Sequence, residues 1–307
     1  MSIPSSNQSQ ISGIRANNDI LTFVEEVKAQ ELYNTKVKGR FLLITYTNDR
    51  NREDEFLEWL IENLPIYALP KEERIKKKYS IQEGVRLTRQ AFKKFAKNAK
   101  TGELGEVILF YLLEVFEGAV QIVNKMPLKT SQNMYVNGAD AIHFKADGNL
   151  RILYLGESKT GESFSRVLED SFHDTDEYYK GGKMRFDIDL ATGHLSTDIL
   201  KQDRDMIKEY LNPFKKDLSK LAHVHAVFLG YHYKALSDFE GQLSGEELKN
   251  KVIEQYGKDI EKYLKSIEDK FDNYPKLKDK QFLFFVVPFK DLESLRKKFV
   301  KVIEGGG

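Results

Sequence analysis

The chain has 307 residues, 41% of them hydrophobic and 31% charged, with 48 Lys and Arg against 47 Asp and Glu. That is enough apolar material for a sizeable core in one domain or two, and too much for general disorder. The near-neutral balance requires any polyanion to be met by a local basic patch, and the absence of cysteine excludes disulfides, thiolate-bound zinc and cysteine nucleophiles.

Residues 1–18, rich in Ser, Asn and Gln, read as a polar N-terminal tail with no apolar signal core. No apolar run nears the ~18 residues of a membrane helix. With no membrane segment and no cysteine, a cytoplasmic location is expected.

An N-terminal α/β segment is expected over 19–98. It opens with a predicted helix over 19–33, capped by Asp19, with Ile20, Phe23, Val24 and Val27 on one face. Arg40–Thr47 predicts a strand and Asp54–Asn63 an amphipathic helix, with Pro65 and Pro70 punctuating the chain beyond it. From Lys71 to Lys100, eleven Lys and Arg face three Glu. Within that stretch Glu83–Asn98 predicts a helix. Val85, Phe92, Phe95 and Ala96 form its apolar side, and Arg86, Arg89, Lys93 and Lys97 a cationic row. Such a row is either a solvated face or a phosphate-contacting one, since Lys and Arg supply the sequence-independent part of DNA affinity.

Residues 99–235 carry the predicted core. Glu103–Phe116 (ELGEVILFYLLEVF) is apolar enough to be a buried helix. Strands come next over Ala119–Leu128 and Ala139–Phe144, then a hairpin signal at Asp147-Gly148 and a strand over Leu150–Lys159. Ser163–Tyr179 predicts a helix that Gly181-Gly182 breaks, a further helix lies near 198–211, and His223–Tyr231 is a strand. Residues 236–304 predict a C-terminal helical region and a final strand, Gln281–Phe289, packed on the core. Over 244–272 the residues Leu248, Val252, Tyr256, Ile260, Tyr263, Ile267 and Phe271 form a docking face. Gly305-Gly306-Gly307 reads as a frayed tail. The expected architecture is an α/β layer arrangement around a mixed sheet.

The chemistry-bearing residues sit at the end of the Leu150–Lys159 strand. Glu157 and Lys159, two apart, project to one face, where Leu153 and Leu155 predict core. Charges are almost never buried unpaired, so an acid and a lysine there are a structural ion pair or a functional one. Asp140, opening the neighbouring strand, would add a second carboxylate, and Glu106, beside Gly105 on the buried helix, a third. Glu103, one turn earlier, is the alternative helix acid, and both also suit a helix first turn electrostatically. Carboxylates are ligands for a hard cation such as Mg²⁺ or Mn²⁺, which activates water and polarises phosphate; a lysine beside it neutralises transition-state charge.

Other pairs carry less. His223 and His225 read as one edge of a half-buried strand, and His173-Asp174 lacks the further ligands a phosphohydrolase of the His-Asp class needs. No phosphate-binding glycine loop of the Gly-x-x-x-x-Gly-Lys-Ser/Thr or Gly-x-Gly-x-x-Gly type occurs.

Glu106, Gly138-Ala139-Asp140 and Glu157-x-Lys159, in helix–strand–strand–strand order, resemble the PD-(D/E)xK nuclease superfamily and its restriction-endonuclease-like core. Ala139 stands where the name-giving proline would be, a position loosely kept in that superfamily. More specifically, Gly105-Glu106, the NGADAIHF run at 137–144 and the LYLGESKTG run at 153–161 resemble the HamA family, nuclease-type subunits of the Hachiman antiphage system. The resemblance is firm over about 100–180 and thinner elsewhere. It implies a metal-dependent DNase site of Glu106, Asp140, Glu157 and Lys159 with Mg²⁺ or Mn²⁺, with DNA as substrate and a helicase subunit, HamB, as partner. The alternative is a restriction-like DNA- or helicase-binding module with little catalysis.

Overall fold

Gln281–Phe289 (QFLFFVVPF, β9) and Leu221–His232 (LAHVHAVFLGYH, β8) run through Val, Leu and Phe with little polar alternation, and strands of that kind need cover on both faces. They lie inside a seven-stranded sheet that also holds β1 (Val24–Leu32), β2 (Val37–Ile44), β5 (Val120–Val123), β6 (Ala141–Asp147) and β7 (Leu150–Gly161). The order is β1-β2-β9-β8-β7-β6-β5. Neighbours among β2, β9, β8 and β7 run parallel, while β1, β6 and β5 each pair antiparallel with their neighbours. A short ribbon, β3 (Tyr46–Thr47) with β4 (Arg50–Asn51), stands apart. This computed structural model describes residues 18–32, 36–47, 50–70, 73, 80–95, 102–123, 126, 139–147, 150–196, 199–212 and 221–305.

Two helical layers cover the sheet. Along β8 successive side chains divide between them: Ala226 and Phe228 join one core, Val227 and Leu229 the other. The first core receives α1 (Glu53–Glu62), α2 (Leu64–Ala68), α3 (Ile81–Phe92), α4 (Glu103–Phe116) and α10 (Leu292–Gly305). The second receives α5 (Phe164–Lys180) and α9 (Gly245–Asn273), whose Leu248, Val252, Tyr256, Ile260, Ile267 and Phe271 are buried as the spacing predicts. A third cluster packs α6 (Lys183–Gly193) and α7 (Lys201–Leu211) against the β5–β6–β7 end. The helix α8 (Lys234–Glu240) comes directly after β8. The result is an α/β fold with a mixed sheet flanked by helices, and its single large sheet takes strands from the 19–98, 99–235 and 236–304 segments alike.

Several elements differ from expectation for identifiable reasons. The 19–33 helix is a 3₁₀ turn, Asn18–Thr22, leading into β1. Ile20 and Val24 mimic a helical face because the turn folds both into the core. A register shift between Glu26 and Lys28 breaks the strand's own alternation. Its exposed charges belong to a guarded edge: Glu26 pairs with Arg40, Lys28 with Glu261 and Glu25 with Lys249. Helix α3 starts earlier than predicted, at a capping box in which Ser80 Oγ accepts from the Glu83 amide at 3.2 Å. Its core side is Leu87, Ala91 and Phe92, and Val85 is 48% exposed. Residues 96–98, and with them Ala96 and Lys97, lie outside the described residues. Helix α6 escaped prediction because KMRFDIDL alternates charge and apolar residue like a strand. Gly305, set aside as tail, ends α10.

Glu53 ties the first layer together. Its carboxylate, 7% exposed, accepts from the backbone N–H groups of Lys290 and Asp291 at the entry to α10. Burial first, then the charge of Glu240, outweighs those hydrogen bonds and pushes Glu53 up from 4.5 to about 7. The folded state therefore holds this proton more tightly than the unfolded chain, so the group's contribution to stability is lost as pH rises from about 4.5 to about 7. In urea unfolding of wild type and Glu53→Gln, the variant is expected to gain relative to wild type between pH 5 and pH 8. A difference that does not change with pH would contradict this.

Candidate active site

The β6–β7 hairpin sets the site. Ala141 pairs with Gly156 and Ile142 with Leu155, and the ladder continues one residue past β6, where the Asp140 N–H donates to the Gly156 carbonyl at 2.7 Å. The Asp140 carboxylate turns back onto the same strand, its Oδ2 accepting from the Ser158 N–H at 2.9 Å. Asp140 is thus fixed by backbone groups on both sides of Glu157.

Two glycines let the layers close around that strand. A Cβ on Gly156 would lie 2.7 Å from the Ala141 Cβ and 3.0 Å from Leu109 Cδ2. A Cβ on Gly105 would lie 2.1 Å from Ser158 Oγ and 3.2 Å from Thr160 Cγ2. The absent side chain of Gly105 therefore seats α4 directly on β7. The contact is with Ser158 and Thr160, whose side chains point to the opposite face from Glu157 and Lys159.

Glu157 and Lys159 share the face of Leu153 and Leu155, beneath α5. The Lys159 ammonium pairs with Glu157 and with Asp174 Oδ2, the latter at 2.6 Å. Asp174, on α5, also meets His173 Nδ1 at 3.1 Å. Burial, then the charge of Asp140, pushes Glu157 up to about 7 despite the neighbouring ammonium. Burial opposes the charge on Lys159, but Glu157 and Asp174 outweigh it and raise its pKa. Burial would likewise raise Asp174, yet hydrogen bonds to Lys159 and His173 hold it below the usual carboxylate range.

The structure therefore brings Asp140, Glu157 and Lys159 together. Glu106 lies on α4 next to Gly105, which sits against the other face of β7; no group of three or more His, Asp or Glu near enough to hold a metal occurs among the described residues. Glu103, in the same first turn, is 3% exposed. Asp174 is the neighbour that the sequence pattern did not single out for this role. The available signal was its place at the border of the buried α5 stripe of Ser171, Thr175 and Tyr178. His223 and His225 pair in register with Leu153 and Leu155, further back along the sheet. His225 Nε2 bonds the Tyr179 hydroxyl, so this pair is a core arrangement.

Two surface hollows carry basic side chains. At the C-terminal ends of β7, β8 and β9 a cleft of about 960 Å³ is lined by His232, Lys290 and Arg296 and by the acids Glu162, Asp291 and Glu293. Crevices of this kind at the carboxyl ends of parallel strands are the usual ligand sites of α/β sheets. Arg296 is held there by the Thr160 carbonyl at 2.9 Å. On α3, Arg86, Arg89 and Lys93 line a shallow groove with the exposed Ile81 and Val85.

Fold and site define the class: an α/β protein with a helix-flanked mixed sheet and an acid–acid–lysine set where its central hairpin strand ends. The family model described as HamA matches residues 18–303, and the chain belongs to the HamA family, a component of Hachiman antiphage defence. The search of curated proteins found no match. Among the described residues no helix is long and apolar enough to cross a membrane.

The close approach at Gly156 is directly testable. Gly156→Ala should lower unfolding free energy by about 1–3 kcal/mol through overpacking against Ala141. Ala141→Gly in the same chain should recover part of it, giving a double variant more stable than the sum of the singles in urea melts. Additive losses would mean the two positions do not clash.

Proposed function

We propose that the chain is a metal-dependent deoxyribonuclease of the PD-(D/E)xK kind, cleaving phosphodiester bonds under the control of a partner helicase. The observation that carries this reading is the convergence of the Asp140 and Glu157 carboxylates with the Lys159 ammonium at the end of β7. Two acids crowded enough that one raises the other's pKa form a donor set that suits a hard divalent cation. Mg²⁺ usually takes only one or two carboxylates, leaving other positions to water and substrate phosphate, so this pair suffices to hold it. Asp140 and Glu157 would hold Mg²⁺ or Mn²⁺. When bound, the ion would supply an activated water and charge stabilisation at phosphorus. Glu106, on α4, would be the third acid of the metal-binding set, with Glu103 as its alternative.

The protein's own groups account for the rest. Lys159 would orient the attacking water and neutralise charge on the phosphate, in a partly dry site where such a charge counts for more than in water. Asp174 would hold the ammonium in place until substrate competes for it. Arg86, Arg89 and Lys93, with Lys97 of the predicted row, would contact the DNA backbone.

A second reading has its own support. Lys159 is engaged by two carboxylates, and no three-acid cluster is present among the described residues. Both facts fit a restriction-like module that binds DNA or a helicase with little catalysis. Plasmid incubated with Mg²⁺ or Mn²⁺, with and without the helicase, separates the two. On the nuclease reading Glu157→Ala and Lys159→Ala each lower cleavage on the order of 100-fold or more while remaining folded, and Lys159→Ala still binds Mn²⁺. Cleavage that persists in the folded variants, with lowered melting temperatures, would make the pair a structural ion pair.

For the α3 row, changing Arg86, Arg89, Lys93 and Lys97 to Gln should weaken binding alike for unrelated DNA sequences. The slope of log affinity against log salt should flatten by at most about one unit for each phosphate-bound cation removed. An unchanged slope would assign the row to solvent or to a protein partner.

A further inference from the structure

The entry to β6 is met by a buried carboxylate that the reaction itself does not use. Asp187, on α6, is 0% exposed. Its Oδ2 accepts from the backbone N–H of Ala139 at 2.9 Å and from the Tyr178 hydroxyl at 2.8 Å. Tyr178 lies near the end of α5, and Gly181-Gly182, with Gly182 at φ +65°, turns the chain so that α6 brings Asp187 back against it. Ala139 immediately precedes Asp140, whose own N–H goes to Gly156 and whose carboxylate accepts from Ser158.

A buried carboxylate costs several kcal/mol unless hydrogen bonds compensate it. Asp187 meets its donors at the one peptide that leads into Asp140. Ala139 lies just ahead of β6, whose register with β7 begins at Ala141.

We propose that Asp187 is the positioning residue for Asp140: it anchors the Ala139 peptide so that the Asp140 carboxylate faces Glu157, ready for a divalent cation. This deepens the nuclease reading and rests on it for the identity of the ion, but the anchoring itself is independent of any metal.

The test uses the full chain and Mn²⁺ alone as the probe, with two readouts: Mn²⁺ affinity by calorimetry and hydrogen exchange at the Ala139 and Asp140 amides. Partners that orient metal ligands are typically worth 10–100-fold in affinity. Asp187→Ala should weaken Mn²⁺ binding by about that factor and speed exchange at Ala139 at least about tenfold. Asp187→Asn, which keeps the volume and one acceptor, should fall between Asp187→Ala and wild type, and it carries the test if the alanine variant does not fold. Tyr178→Phe leaves the hydrogen bond from the Ala139 N–H to Asp187 in place. It should change affinity by less than about threefold even if it melts earlier, which separates anchoring from general loosening of α5 and α6. Unchanged amide exchange in the Asp187 variants, or affinities equal to wild type, would overturn the proposal. If wild type binds no Mn²⁺ but the Asp187 variants still expose the Ala139 amide, the anchoring stands and the metal reading falls.

Discussion

Burying negative charge at the end of β7 is the constraint around which the neighbourhood is arranged. Glu157 occupies a strand position whose neighbours on the same face, Leu153 and Leu155, are fully enclosed. A carboxylate there must find a counter-charge, a proton or a metal. The protein supplies the first through Lys159, two residues on, and then engages that lysine again with Asp174 from α5. It also worsens the problem by setting Asp140 alongside, fixed by the backbone of the same strand. Proteins seldom crowd two acids for stability, since like charges oppose each other. The crowding makes chemical sense as a cation site.

The scaffold makes that crowding tolerable. Four parallel strands at the centre need helices on both faces, and the two layers leave the carboxyl ends of β7, β8 and β9 open to one side. Gly105 brings α4 onto Ser158 from one face, while α5 brings Asp174 to Lys159 from the other. Gly156, between them, lets β6 and β7 meet at the point where Asp140 crosses over. The charged set therefore rests on rigid, well-packed elements, with α6 reinforcing the entry to β6.

Much of this was legible in the residues themselves. The buried helix Glu103–Phe116 and the strand Gln281–Phe289 fall on their predicted bounds, because unbroken apolar runs between clear breakers leave little choice. The hairpin with Asp140, Glu157 and Lys159 was readable because a turn signal and period-two geometry are both local. The features that escaped were decided by tertiary contact. The edge strand β1 is half polar, so its pattern imitated a helix until pairing with β2 settled it. The alternation in α6 imitated a strand until packing at the sheet end settled that. Asp174 and Asp187 reach the site only through the return of α5 and α6 over the sheet, which no spacing along the chain discloses. Glu106 follows Gly105, whose seating on Ser158 is a tertiary contact that order along the chain does not disclose.

The most direct test of a cation site at the end of β7 is anomalous diffraction from a crystal of the full chain soaked in Mn²⁺. A manganese peak is expected between the carboxylates of Asp140 and Glu157, with Lys159 beside it. Manganese bound elsewhere, with Glu157 and Lys159 still paired to each other, would contradict it.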